Sequence, residues 1–130
     1  MKKRNKQGKI GKWGEEVAVK YLHQKGYKVL ERNYYFRDCR NLKRGEIDII
    51  AKKDDVVSFI EVKTLKNPGE LISPEEKVNA IKRKKLRKTA ESWLIKKKIP
   101  LDSKWQIDVI AIELRDKKVK INHFKNVVFE

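Results

Sequence analysis

A chain of 130 residues with 34 Lys and Arg against 18 Asp and Glu has room for one hydrophobic core and carries a formal net charge of +16, so its natural partner is a polyanion such as nucleic acid, bound in a salt-sensitive way. Apolar residues never run to the roughly 20 in succession that a membrane helix needs, and the basic stretch from Met1 to Lys12 lacks the apolar region of a secretory signal. The expectation is one cytoplasmic domain, residues 1–130, opening on a flexible basic arm over residues 1–9; the single Cys39 excludes an internal disulfide, and His23 and His123 lack the spacing of zinc ligands.

In chain order, Trp13, Val17, Ala18, Tyr21 and Leu22 recur at three- and four-residue spacing, which predicts an amphipathic helix over residues 10–25 closed by Gly26. Tyr27 to Phe36 is rich in β-branched and aromatic residues and predicts a strand, followed by a basic loop carrying Arg37, Arg40, Lys43 and Arg44. Glu46 to Lys53 and Val56 to Thr64 predict a hairpin turning at Asp54-Asp55. After the break at Asn67-Pro68-Gly69 comes a long helix for which Ser73 and Asn79 are both candidate caps. Its outer face carries Lys82, Arg83, Lys84, Lys85, Arg87 and Lys88, and Pro100 ends it. Two last strands, Trp105 to Leu114 and Lys118 to Phe124, turn at Arg115-Asp116-Lys117. This order predicts an α/β fold: a mixed sheet of about five strands flanked by two main helices. The basic loop and the basic helix face, above all Arg37, Arg40, Lys43, Arg44, Lys82, Arg83, Lys84 and Arg87, are the expected phosphate contacts.

The hairpin carries the chemistry. Counting outward from a two-residue turn pairs Lys53 with Val56, sets Asp48 opposite Glu61, and sets Lys63 opposite Glu46. Strict alternation then puts Asp48, Glu61 and Lys63 on one face and Ile47, Ile49, Ile60 and Val62 on the other. Two carboxylates about 5 Å apart repel by roughly 3 kcal/mol at an effective dielectric of about 20. A Mg²⁺ or Mn²⁺ ion, which prefers carboxylate oxygens, would offset that repulsion. Such an ion polarises a phosphoryl oxygen and lowers the pKa of a bound water, and Lys63 would orient that water or stabilise the developing charge. The alternative for the same residues is an ordinary solvated hairpin face. On the first helix, Glu15 borders the apolar stripe, where it can reach a site on the sheet, whereas Glu16 points away. Taken alone, the helix favours the other reading of Glu15, an ordinary first-turn acid stabilised by the helix dipole.

Gly11 to Ala18, Arg32-Asn33, Gly45 to Ile50, Phe59 to Lys63, and Val78 with Lys82, Leu86, Ala90 and Leu94 together resemble the YraN family. This is an uncharacterised bacterial group similar to archaeal Holliday junction resolvases and held to share the restriction-endonuclease-like PD-(D/E)XK fold. The resemblance spans nearly the whole chain. It implies that Asp48, Glu61 and Glu15 are metal ligands, that Lys63 is the catalytic lysine, and that Lys82 contacts phosphate. Ile47 stands where the superfamily's name puts proline, and Gln106 where arginine is expected before Ile107-Asp108-Val109. Asp108 stays outside the catalytic set, with a helper role and a capping role both open. The function implied is a divalent-metal-dependent endonuclease acting on DNA, including branched structures, as a homodimer. The rival is a non-catalytic DNA- or RNA-binding module on the same fold.

Overall fold

The computed structural model describes residues 8–37, 44–65 and 80–127, and among these described residues apolar side chains at helical spacing and at alternating strand positions form two helices and five strands. In order they are α1 (Gly8–Gln24), β1 (Lys28–Arg37), β2 (Arg44–Lys53), β3 (Val56–Leu65), α2 (Ala80–Lys96), β4 (Trp105–Arg115) and β5 (Lys118–Phe124). The strands lie in sequence order in one mixed sheet. All neighbours are antiparallel except β3 and β4, which run parallel. A parallel step needs a crossover, and residues 66–104, which include α2, provide it.

The helices cover opposite faces. Ala18 and Leu22 of α1 pack with Ile49, Ala51, Ile60, Ile110 and Ile112. Leu86, Ala90, Trp93 and Leu94 of α2 pack with Ile47, Ile50, Val57, Phe59 and Ile107. Consecutive pairs such as Ile49–Ile50 and Phe59–Ile60 therefore look in opposite directions, as the pleat requires. Two glycines set how closely the helices press. A Cβ at Gly14 would run into Thr64 of β3, and one at Gly45 into Thr89 and the Lys85 carbonyl of α2. Without side chains there, α1 and α2 both press onto the end of the sheet where β2 begins and β3 finishes. This α/β arrangement is consistent with the restriction-endonuclease-like core implied by the sequence.

The element limits follow the expected ones closely. Asp54 (φ 49°) and Asp55 (φ 68°) both adopt left-handed backbone, the type I′ geometry that a two-residue hairpin turn favours. The β4–β5 turn is also two residues, Asp116 and Lys117 (φ 50° and 64°), because Arg115 pairs with Lys118 instead of joining the turn. Helix α1 starts at Gly8, so Gly8 and Lys9 belong to it and not to the arm. Residues 1–7, Cys39, Asn67-Pro68-Gly69 and both candidate caps, Ser73 and Asn79, lie outside the described residues. Among the described residues, no helix is long and apolar enough to cross a membrane.

Candidate functional site

The β2–β3 ladder runs from Lys53↔Val56 to Ile49↔Ile60, the expected register, and stops one pair short of Asp48 and Glu61. At that point the Val62 N–H donates to Asp48 Oδ2 at 2.8 Å. The aspartate side chain thus takes a backbone donor where the ladder leaves off. On the other side of β2, Arg32 pairs with Ile49 and Tyr34 with Ile47, which leaves Asn33 facing Asp48. Asn33 has left-handed backbone (φ 53°) in the middle of a strand, and such irregularities re-aim side chains. The consequence is a correction to strict alternation: Ile47 packs with the α2 cluster while Ile49, two residues on, packs with the α1 cluster. Ile49, Ile60 and Val62 share the α1 face as expected. Ile47 does not.

The side chains expected to act together do meet around this fork. Lys63 Nζ lies 3.2 Å from Glu61 Oε2. Glu15, buried on α1, shares with Lys63 a cavity of about 230 Å³ whose other walls are Ile10, Gly11, Val62 and Thr64. The close approach at Gly14 is what brings the next residue, Glu15, against β3. Arg32, from β1, reaches across to Glu15 at 3.4 Å and Glu16 at 2.9 Å. Burial works to lower the proton affinity of the Arg32 guanidinium, but hydrogen bonds and charge from Glu16 and then Glu15 outweigh it, and the net shift is upward.

Asp48 is held well above the ordinary carboxyl value of 3.8. Burial is the main cause, the charge of Glu61 the next; the Val62 N–H opposes both, and Glu15 and Glu46 add further negative charge. A carboxyl that binds its proton more tightly when folded lends stability that is fully present below about pH 4 and lost as pH rises through the raised value. Asp48→Asn keeps an acceptor for Val62 and removes the charge. Its melting temperature in chelator should therefore overtake that of the wild type progressively as pH goes from about 4 to about 8. A gap that stays constant over that range, or a variant less stable than wild type at neutral pH, would show that Asp48 is not a crowded charge.

A hard divalent cation suits this donor set, since oxygen ligands of like charge converge and raise the proton affinity of the central one. Yet among the described residues no three carboxylate, histidine or cysteine side chains stand close enough to hold an ion as a ready-made cage. The reason is visible in the partners: Asp48 turns to the Val62 N–H, Glu61 to Lys63, and Glu15 to Arg32.

Of the expected phosphate contacts, Lys84 and Arg87 are exposed on α2. The same helix carries Lys82 and Arg83, while Arg37 ends β1 and Arg44 begins β2. Arg40 and Lys43 lie outside the described residues. Asp108, whose role the sequence left open, is fully buried and caps structure. It accepts from His123 Nε2 (2.8 Å), the Asn126 N–H (2.8 Å) and Gln106 Nε2 (3.0 Å). The tautomer that serves both neighbours has His123 Nε2–H donating to Asp108 and Nδ1 accepting from the Tyr21 hydroxyl at 2.9 Å. Burial first, and the Asp108 charge second, raise the pKa of Tyr21, which keeps that hydroxyl a donor. Sequence reasoning missed the parts played by Arg32, Glu16 and Asn33. The available signal was an asparagine among strand formers, directly after an arginine.

Comparison with known proteins adds kinship without an activity. Residues 14–112 match the uncharacterised protein family UPF0102. A UPF0102 protein of Alkaliphilus oremlandii is 42% identical over 120 residues, covering 91% of this chain and 96% of its own. One from Roseiflexus castenholzii is 36% identical over 124 residues, 94% of each chain. One from Clostridium tetani is 49% identical over 96 residues, 73% of this chain and 70% of its own.

Proposed function

The chain belongs to the uncharacterised protein family UPF0102, the YraN family, and from its site we propose that it is a divalent-metal-dependent endonuclease hydrolysing DNA phosphodiester bonds, including those of branched structures. The observation that carries this reading is the anionic crowd at the fork, where Glu61, Glu15 and Glu46 all raise the proton affinity of Asp48 while Lys63 pairs with Glu61. A fold alone has no use for like charges gathered at a partly buried point. Asp48, Glu61 and Glu15 would hold Mg²⁺ or Mn²⁺, and such an ion supplies a polarised phosphoryl oxygen and a water that ionises near neutral pH. Lys63, already beside Glu61, orients the attacking water or meets the charge that develops on the phosphate. The exposed bases of α2, with Lys82, Arg83 and the Arg37 to Arg44 loop, grip the phosphates on either side. Net charge of +16 supports that grip.

The test is a cleavage assay on duplex, junction and single-stranded DNA in Mn²⁺, Mg²⁺ or chelator, with Lys63→Ala as control. Divalent-dependent cleavage that the control lacks is the expected result; no cleavage of any structure in either metal defeats the proposal. One observation favours a second reading, a nucleic-acid-binding module without catalysis: each core carboxylate already has a partner, and no ready-made cage exists among the described residues. Tight, salt-sensitive binding with no cleavage would select it.

A further inference from the structure

We propose that Arg32 is the resident counter-ion of Glu15 in the metal-free protein, and that Glu16 is the seat to which it withdraws when a divalent cation enters. The second half rests on the metal-site reading above. The two carboxylates are neighbours in sequence but differ in environment: the Glu15 side chain is 3% exposed and that of Glu16 61%. A buried carboxylate needs a countercharge, whereas an exposed one is solvated by water. The electrostatic need therefore lies with Glu15. The shorter bond nevertheless goes to Glu16, 2.9 Å against 3.4 Å, and both are made by the same nitrogen, Nη2. Arg32 Nε is buried and makes no hydrogen bond among the described residues. The guanidinium is thus held to α1 through one nitrogen shared between two acids, and a small pivot transfers it wholly to either.

Chemistry makes such a seat necessary. Arginine does not lose its proton in proteins, so a cation arriving beside Glu15 meets a like charge that must move and cannot be neutralised. With Glu16 one residue along the helix, Arg32 gives up Glu15 without losing an ion pair. The same device explains how the buried acid is tolerated before metal binds and why the carboxylates do not form a closed cage in this state.

Thermal melts in chelator and across a Mn²⁺ titration test both halves in the whole chain. In chelator, Arg32→Gln should melt roughly 5 °C lower than wild type, and adding Glu15→Gln should restore at least about half of that loss. Arg32→Lys, which keeps the charge, should stay near wild type. In Mn²⁺, Arg32→Gln should show an apparent Kd at least about threefold lower than wild type, because a charge that repels the cation is gone. Glu16→Gln removes the alternative seat, and its apparent Kd should be about threefold higher. Failure of Glu15→Gln to restore stability, or Arg32→Lys melting as low as Arg32→Gln, overturns the counter-ion. Equal Mn²⁺ affinity in wild type, Arg32→Gln and Glu16→Gln overturns the exchange. If Glu15→Gln restores stability but none of the proteins responds to Mn²⁺, the counter-ion stands, and the exchange falls together with the metal-site reading.

Discussion

Asp48→Ala, Glu61→Ala and Lys63→Ala should each lower divalent-dependent DNA cleavage by about 10³-fold or more, the scale on which preorganised charges at a reacting phosphate act. The three substitutions reach this loss by different routes. Asp48→Ala removes the carboxylate at the centre of the crowd, and with it the acceptor that ties β3 to β2 through the Val62 N–H. Glu61→Ala removes the acid next to it, and Lys63 loses the partner at 3.2 Å that fixes its ammonium. Lys63→Ala leaves the carboxylates in place and deletes only the cation, so it separates chemistry from assembly. Its affinity for a labelled duplex in Mn²⁺, read by fluorescence anisotropy, should stay within about threefold of wild type, since one phosphate contact among many contributes little to a salt-driven interaction. Single-turnover assays on duplex and junction DNA measure the rates. Activity that persists in chelator, or that survives all three changes, places the chemistry elsewhere.

The largest effect on stability should come from Asp108→Ala, a loss of about 3–5 kcal/mol in urea melts. That is a large part of the roughly 5–15 kcal/mol that holds a domain of this size together. Asp108 is fully buried and accepts from a histidine ring, a backbone N–H and a glutamine amide. Alanine would take the acceptor from all three donors, and the His123 ring, only 4% exposed, would be left buried without its partner. The damage would spread to α1, because His123 links Asp108 to the Tyr21 hydroxyl. Asp108→Asn retains an acceptor oxygen and should cost clearly less. If Asp108→Ala instead melts like wild type while cleavage collapses, Asp108 is a helper in the reaction and not a cap.

Much of this was readable from the sequence because the relevant signals are local. The Asp54-Asp55 turn and the two-residue period fix the β2–β3 register by counting alone, and Ile49↔Ile60 falls where the count puts it. Glu15 could be placed at the margin of a buried face from the helical period. The face of Ile47 could not be placed, because it depends on the backbone of Asn33 in the neighbouring strand, and a one-dimensional period carries no record of what lies alongside. The contact of Arg32 with Glu15 and Glu16 was hidden for a related reason. It joins residues 16 and 17 positions apart through the packing of α1 on the sheet. An exposed glutamate on the far side of the apolar stripe looked like surface until β1 supplied the arginine.

The parallel pairing of β3 with β4 has a consequence for the order of assembly. Strands β1 to β3 and the β4–β5 hairpin each close between neighbours in the chain, whereas joining the two groups requires residues 66–104 to loop back first. Contacts at such separation form slowly, because the entropy of closing the loop is lost before any pairing compensates it. Phe59 sits at the junction, edge-on to Trp93 of α2 at 5.7 Å and to Trp105 at the start of β4 at 5.6 Å. Two of the chain's three tryptophans thus meet one phenylalanine only when the crossover is complete. The protein carries its own optical probe of that late step, and changes in indole emission during refolding report the docking of the second half of the sheet onto the first.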